Sequence, residues 1–388
     1  MKIAILGRVG ELCRAELESL SSTECEHLTD NISLIGDRQE LDIAYLGGVV
    51  KLAQVIYDGE QTSANDIQDI VTNFLRQKKL THKVSFGLSL YGDARALQKQ
   101  SSSKLGINIK KHLVKNGMSA RFVPAKNRQF LSAAQVLFNN LAGQDDKGFD
   151  FVCLLLKKRL IIGTTTAVQD ILSYSRRDYE RPCRDMVVGM LPPKLAQILI
   201  NLARPNPGQV VCDPFCGSGV ILQEALLAGH QVCGSDISSK MIDCSQKNLT
   251  WLAENYQINQ PFKLLVQDAT QLTDLPPNCV IVSEGYLGEP LDKLPASKTH
   301  QAQINKLEAL YLNFLGNLAK LANSPERITI CLPVWQSDGN IITLNIIDQI
   351  VKMGYTLEQF AGVDSKKMIY LRPKQIVGRQ VLALKRKV

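Results

Sequence analysis

Three aspartates stand where three apolar runs end. Val210-Val211-Cys212 leads into Asp213, Val232-Cys233-Gly234-Ser235 into Asp236, and the run from Lys263 to Gln267 into Asp268. Ligands of open, largely parallel α/β sheets lie beyond the carboxyl ends of the strands, so acids at those ends converge on one crevice. After Asp213 comes Pro214-Phe215-Cys216-Gly217-Ser218-Gly219. Gly217 and Gly219 allow a sharp turn and a close approach of backbone to ligand. A helix expected over Val220 to Ala228 starts there and offers unpaired N–H groups. Asp236, about twenty residues past the glycines, can accept hydrogen bonds from both hydroxyls of a ribose. Asp268 can hold an exocyclic adenine amine. One acid alone would read as a helix N-cap; three at successive strand ends point to a nucleoside. Leu222 stands where G-x-G-x-x-G needs its third glycine, and no G-x-x-x-x-G-K-[ST] is present, which argues against a dinucleotide and an NTP.

A fourth strand end carries the candidate chemistry. Ile281-Val282 leads into Ser283-Glu284-Gly285-Tyr286-Leu287-Gly288. A carboxylate and a fixed backbone carbonyl can accept hydrogen bonds from a target amine and aim its lone pair, while an aromatic ring stacks on the base. In one register Glu284 is the acid and Leu287 takes the aromatic position. Shifted by one, Ser283 takes the acid position and Tyr286 becomes the stacking ring. Both registers remain open at this level. Glu284 could also take the proton as the nitrogen becomes cationic.

These residues need a scaffold. At 388 residues the chain calls for two or three domains. A strand over Lys2 to Leu6, a helix over Glu11 to Leu20 and an apolar run from Leu41 to Val50, followed by a helix through Val55, form a first small α+β module. A second contains a helix from Ala64 to Gln77, a strand at Val84 to Gly92, a basic helix from Lys104 to Asn116, a helix from Ser132 to Leu141, and strands at Ala120 to Val123, Phe151 to Leu156 and Arg159 to Thr164. Ser173 to Pro193 reads as a surface linker. From Lys194 onward, helices alternate with strands at Gln209–Cys212, Gln231–Ser235, Lys263–Gln267, Val280–Ser283, Arg327–Leu332 and Met368–Arg372, which implies a largely parallel sheet.

The net charge of +8 is concentrated. Between Thr81 and Phe130 lie ten basic residues (Lys83, Arg95, Lys99, Lys104, Lys110, Lys111, Lys115, Arg121, Lys126, Arg128) and one acid, Asp93. Such a segment suits a polyanion, and Arg176, Arg177, Arg181 and Arg184 would extend its track. The ten cysteines form no C-x-x-C pair and no zinc set, and read as reduced, mostly buried thiols. No apolar run reaches membrane-spanning length, and the start reads as strand then helix, not as a signal peptide.

DPFCGSG (from Asp213), GSD (ending at Asp236) and QDA (ending at Ala269) resemble the cofactor motifs of Rossmann-like S-adenosylmethionine methyltransferases. The fuller resemblance is to THUMP-domain RNA methyltransferases of the tRNA guanine-N2 group. Gly189-Met190-Leu191-Pro192-Pro193-Lys194-Leu195-Ala196 is similar to the segment that helps hold the methionine end of the cofactor. Tyr370-Leu371-Arg372-Pro373 and Val377-Gly378-Arg379 look like the closing strands. Leu131-Ser132-Ala133-Ala134, the basic helix before it and Ile162-Gly163-Thr164 carry the looser THUMP likeness. The resemblance implies an α/β fold: a Rossmann-like methyltransferase domain (191–388) preceded by an N-terminal ferredoxin-like domain (1–58), a THUMP RNA-binding domain (59–168) and a linker (169–190). It implies S-adenosyl-L-methionine as cofactor, held by Leu191, Lys194, Asp213, Pro214, Phe215, Cys216, Gly217, Ser218, Gly219, Asp236, Ile237, Asp268, Ala269 and Glu284. No metal is implied. Glu284, Gly285, Tyr286 and Leu287 would then form the catalytic loop. It further implies a tRNA partner, a cytoplasmic setting and, as in some relatives, a small activating subunit. The loop departs from the [DN]-P-P-[YFW] of amino-group methyltransferases by losing both prolines, which weakens its preorganisation. That departure keeps two alternatives in view: an RNA-binding protein that has lost turnover, and an amino-methyltransferase of another nucleic acid.

Overall fold

The computed structural model describes residues 1–20, 25–36, 41–60, 65–93, 97, 101–126, 129–184, 190–291, 293–337, 339–373 and 375–387. Ala64, Arg95, Lys99, Arg128 and Gly189, named above, lie outside the described residues. The chain divides into two compact units, one of Met1–Arg8, Ser22–Ala44 and Val49–Ile171, the other of Val9–Ser21, Tyr45–Gly48 and Leu172–Val388.

The first unit is built on one eight-stranded sheet. Its strands are β1 (Lys2–Leu6), β2 (Glu26–Thr29), β3 (Ile32–Ile35), β4 (Val49–Glu60), β5 (Val84–Gly92), β6 (Ala120–Val123), β7 (Gly148–Leu155) and β8 (Arg159–Val168), in the order β2-β3-β1-β4-β8-β7-β5-β6. The helix expected through Val55 is instead strand. Val49, Val50, Val55, Ile56 and Tyr57 are β-branched or aromatic, and β4 pairs with β1 on one edge and β8 on the other. The boundary read at 58/59 therefore falls inside a single strand, and the two N-terminal modules share a sheet. Helix α1 (Gly10–Leu20) follows β1 in sequence but groups with the second unit. Helix α2 (Asp66–Gln77) buries Ile67, Val71 and Leu75 at fourfold spacing. Helix α3 (Ser102–Lys115) buries Ile109 and Leu113 while Lys104, Lys111 and Lys115 stand exposed. A short helix, α4 (Ala133–Phe138), is opened by a capping box between Ser132 and Gln135. Inside the sheet, Lys51 Nζ donates to Asp150 Oδ2 at 2.9 Å and to Ser89 Oγ at 3.2 Å, so the buried cation is paired.

The second unit holds α5 (Ile171–Tyr179), α6 (Pro193–Ala203), β9 (Val211–Asp213), α7 (Val220–Leu227), β10 (Val232–Asp236), α8 (Ser239–Tyr256), β11 (Phe262–Val266), β12 (Val280–Ser283), α9 (Ser297–Lys320), β13 (Arg327–Ser337), β14 (Asn340–Thr343), α10 (Ile347–Lys352), β15 (Tyr355–Leu357), β16 (Ile369–Tyr370) and β17 (Val377–Arg386). The sheet order is β11-β10-β9-β12-β13-β17-β15, with β14 on β13 and β16 on β17. Strands β9 to β13 are parallel; β17 runs antiparallel to β13 and β15. The strand order reverses between β9 and β12, which opens the crevice in which ligands of such sheets sit.

Each face has its own core. Leu12 and Ala15 of α1 join Leu195 and Leu199 of α6, Ile221 and Leu222 of α7 and Leu249 and Leu252 of α8 on one side. Tyr311, Phe314 and Leu318 of α9 cover Ile281, Ile328 and Ile330 on the other. Glu16 of α1 accepts from Gly47 N, Gly48 N and Asn201 Nδ2 at 2.9, 2.7 and 2.7 Å. Those bonds satisfy the carboxyl, but burial still pushes its pKa up to about 7.

Two expectations are corrected in this unit. The stretch read as a linker contains helix α5, because Arg177 has a partner the local sequence does not show. Its guanidinium makes a bidentate bond to Glu224 of α7 at 2.7 and 3.1 Å, and Gln197 of α6 donates to the same carboxylate at 3.0 Å. Tyr174 completes the cluster through Gln197. Arg177 and Arg181 are therefore buried and leave the basic track, whereas Arg176 stays exposed. Second, the cysteines are not all thiols. Cys183 and Cys244 are disulfide-bonded across 61 residues, while Cys13, Cys25, Cys153, Cys212, Cys216, Cys233, Cys279 and Cys331 are free. Among the described residues, no helix is long and apolar enough to cross a membrane.

Candidate active site

Asp213 ends β9 and is buried. Its Oδ1 accepts from Phe215 N at 3.1 Å and from Ser283 Oγ at 2.7 Å. Burial, with smaller repulsions from Glu284 and Asp236, pushes its pKa up to about 7. Asp236 ends β10 and links two backbone turns: Oδ2 accepts from Gly217 N at 3.0 Å and Oδ1 from Ser238 N at 2.9 Å. The bond to Gly217 draws the glycine turn against the end of the second strand. Gly217 has φ +52° with open space on its Cβ side, so the turn presents bare backbone to the crevice. Gly219 has φ +81°, and a Cβ there would strike Ser245 Oγ at 2.3 Å. Asn248 of α8 donates to the carbonyls of Ser218 and Cys183, both at 2.9 Å. One amide thus ties the glycine turn to the segment held by the disulfide.

One cavity collects Leu191, Asp213, Phe215, Cys216, Gly217, Ser218 and Glu284, together with Met190, Val220, Ile221 and Met241. The sequence singles out Met190 only within the segment 189–196, and Met241 not at all. Pro214 instead borders a neighbouring cavity of about 410 Å³ with Cys212, Cys233, Lys263 and Gln267. Lys194 is not among the lining residues of the first cavity. Its Nζ lies over the Tyr174 ring, 5.0 Å from the centroid. Ile237 follows Asp236 and is 73% exposed, an apolar side chain standing in water where a flat ring could cover it. Asp268 accepts from Thr270 N and Thr270 Oγ1, both at 2.8 Å, and from Gln271 at 3.2 Å. Those bonds hold its carboxyl below the usual carboxylate range, and the cap role that any lone aspartate suggests is realised there. Ala269 beside it is buried.

At the fourth strand end the two candidate acid positions differ in their surroundings. Ser283 is buried and committed to Asp213, whereas Glu284 lines the cavity. Gly285 N donates to Ser283 Oγ at 3.2 Å. Gly285 has φ +70°, and a Cβ there would come within 2.5 Å of Tyr311 Oη. Tyr311, from α9, places that hydroxyl 2.9 Å from the Tyr286 carbonyl and 3.2 Å from the Cys331 carbonyl. The Glu284–Tyr286 loop is therefore braced from α9 and β13. The Tyr286 ring, 45% exposed, and Leu287 face a second groove with Leu307, Leu310 and Trp335. Glu284 is ion-paired with Arg379 of β17. Arg379 and Tyr311 were not foreseen as site residues. The available signal for Arg379 was a lone cation in the apolar run Val377 to Leu384.

The cradle has the character its ligand must match. Bare backbone at Gly217 lines the cavity, while Asp236 and Ile237 are not among its lining residues and Asp236 holds the glycine turn from behind. Asp213 at the cavity wall, when ionised, suits a positive charge on a ligand, whereas the charge of Glu284 is matched by Arg379.

Residues 181–331 match a methyltransferase family. That family is described as "RMKL-like, methyltransferase domain". A tRNA (guanine(10)-N2)-dimethyltransferase of Methanothermobacter thermautotrophicus is 34% identical over 120 residues, 31% of this chain and 34% of the relative. The protein of the same name from Methanocaldococcus jannaschii is 35% identical over 100 residues, 24% of this chain and 28% of that one. The chain spans about a third of the length of the curated relatives it matches. The crystal structure of TrmN from Thermus thermophilus covers 99% of both chains with a TM-score of 0.54 at 17% identity. A possible methylase from Clostridium difficile 630 covers 100% of this chain and 98% of its own, with a TM-score of 0.51 at 15% identity. At such identities the likeness concerns the fold alone: a Rossmann-like α/β domain preceded by an N-terminal region.

Proposed function

We propose that this chain transfers a methyl group from S-adenosyl-L-methionine to the exocyclic N2 amine of a guanosine in tRNA. The observation that carries the reading is that Glu284 faces the same cavity as Asp213 and the Gly217-Ser218 turn. Glu284 and the glycine turn thus line one cavity. When bound, the cofactor supplies an activated methyl on a sulfonium. Asp236 and the glycine turn would hold its nucleoside, Met190 and Leu191 would flank its amino-acid end, and the acids would favour its charge. Glu284 would accept a hydrogen bond from the target amine and direct its lone pair; as the N–C bond forms, the bond from the methyl to sulfur would break to leave a neutral thioether, and the amine would give up its proton to Glu284 or to water. The names of the curated relatives support guanosine N2 as the target. Lys83, Lys104, Lys110, Lys111, Lys115, Arg121 and Lys126 are all exposed, which supports phosphate contacts by the first unit. A cytoplasmic setting is part of the same proposal.

Incubation with radiolabelled cofactor and unmodified tRNA, with and without a small activating subunit, tests the reading. Label on guanosine N2 is the expected result. Label in DNA alone would overturn the RNA substrate, and cofactor binding without transfer to any RNA would favour an RNA-binding protein that has lost turnover.

A further inference from the structure

Arg379 occupies β17 opposite Pro333 of β13. The strand continues through buried Val381, Leu382, Ala383 and Leu384, an unusual setting for a cation. Its side chain is 7% exposed and that of Glu284 is 20% exposed, with Arg379 Nε on Glu284 Oε1. The guanidinium also lies 6.0 Å from the centroid of the Tyr370 ring on β16. Burying a guanidinium without a partner would be strongly destabilising, so the two side chains hold each other in place.

The groups facing Glu284 come from several elements: Asp213 from β9, Tyr311 from α9, Cys331 from β13, and Arg379 from β17, with Tyr370 of β16 behind it. Asp236 stands beyond Asp213. Burial raises the pKa of Glu284, and the cation that opposes this is Arg379. The pairing also commits one carboxylate oxygen, leaving Oε2 for another hydrogen bond. An amine acceptor must be both charged and aimed, and a glutamate has one more rotatable bond to control than the acid or amide of the loops this one resembles.

We propose that Arg379 is the positioning residue of the transfer site, setting both the direction and the charge of Glu284 in place of a proline-stiffened loop. It acts through Glu284 and does not touch the target. This rests on the methyl-transfer reading above.

The test compares Arg379→Met, Arg379→Lys, Glu284→Gln and the Arg379→Met/Glu284→Gln double variant. In Arg379→Met, kcat at neutral pH falls about 100-fold while cofactor Kd stays within about 2-fold, the split expected of a group that acts on the transfer step. The acid limb of its pH–rate profile moves to higher pH by about one unit or more, because a carboxyl without its cation ionises later. Arg379→Lys restores part of the rate. The double variant is no slower than Glu284→Gln, because both changes remove one coupled device. An unshifted pH profile overturns the proposal, as does loss of cofactor binding in proportion to rate. A second readout needs no turnover. The infrared carboxylate band, assigned by subtracting Glu284→Gln, should titrate at higher pH in Arg379→Met and between the two in Arg379→Lys. If that band shifts but wild-type protein labels no RNA, the methylation reading fails and the role of Arg379 in charging Glu284 stands. If wild type labels RNA and the band does not shift, the Arg379 proposal alone fails.

Discussion

Ser283 donates its hydroxyl to Asp213 across 2.7 Å, joining the ends of neighbouring strands β12 and β9 at the cavity wall. The bond commits Ser283 and leaves Glu284 as the residue of that strand end that faces the cavity alongside Asp213. It also stabilises charge on an aspartate that burial would otherwise neutralise, and that makes the site sensitive to pH.

Asp213 has a folded pKa of about 7 against an ordinary value of 3.8. A group raised on folding contributes stability that is fully present below its unfolded pKa and is lost as pH rises through the folded one. Stability should therefore fall between about pH 4 and pH 7, with Glu16 acting in the same direction. Asp213→Asn should remove a slope of up to about 1.4 kcal/mol per pH unit from that window. Urea unfolding from pH 4 to 9 checks this; an unchanged slope in the variant would show that Asp213 ionises normally.

The α9 brace should matter more to transfer than to cofactor binding. Tyr311→Phe leaves the Tyr286 and Cys331 carbonyls without the hydroxyl between them, a destabilisation of about 1–3 kcal/mol. Gly285→Ala adds a clash with Tyr311 in a left-handed backbone, a strain of about 1–3 kcal/mol. Both variants should lose kcat while keeping cofactor affinity, as read by calorimetry and single-turnover rates. Equal losses in affinity and rate would mean the brace shapes the whole crevice.

Asp236 and Asp268 should separate sharply in cofactor binding. Asp236→Ala unties the glycine turn from β10 and should weaken binding by about 1–3 kcal/mol. Asp268→Asn should do less, because the bonds of that carboxylate stay within its own turn, at Thr270 and Gln271, and do not hold the glycine turn. Titration calorimetry would expose the reverse ranking if Asp268 were the main anchor.

Charge reversal at Lys104, Lys111 and Lys115 tests the first unit. These exposed side chains lie along α3. The triple glutamate variant should lower RNA affinity and flatten its salt dependence by about 0.7–0.9 for each phosphate no longer neutralised. Cofactor binding should not change. An unaltered salt slope would place the RNA elsewhere.

Reduction of the Cys183–Cys244 disulfide should destabilise the second unit. Closing a loop of 61 residues is worth up to about 4 kcal/mol on the chain-entropy account. Thermal unfolding with and without dithiothreitol should show the loss, and Cys183→Ser/Cys244→Ser should be insensitive to reductant. A wild-type protein equally indifferent would mean the bridge is not formed in solution.

The sequence by itself determined what depends on near neighbours. Strands β9 to β12 end on or within two residues of Asp213, Asp236, Asp268 and Glu284, because short apolar-rich runs set the strands there. The exposed lysines of α3 were legible for the same reason, since helical spacing sorts Ile109 and Leu113 from them. Only the tertiary structure decided the rest. Whether Val49–Glu60 is strand or helix turned on having β1 and β8 on its two edges. Whether Arg177 lies in a linker or a core turned on Glu224, 47 residues away. Cys183 met Cys244, and Arg379 met Glu284 across 95 positions. A partner supplied from so far along the chain leaves no periodic trace at either end, and each of these outcomes was set by such a partner.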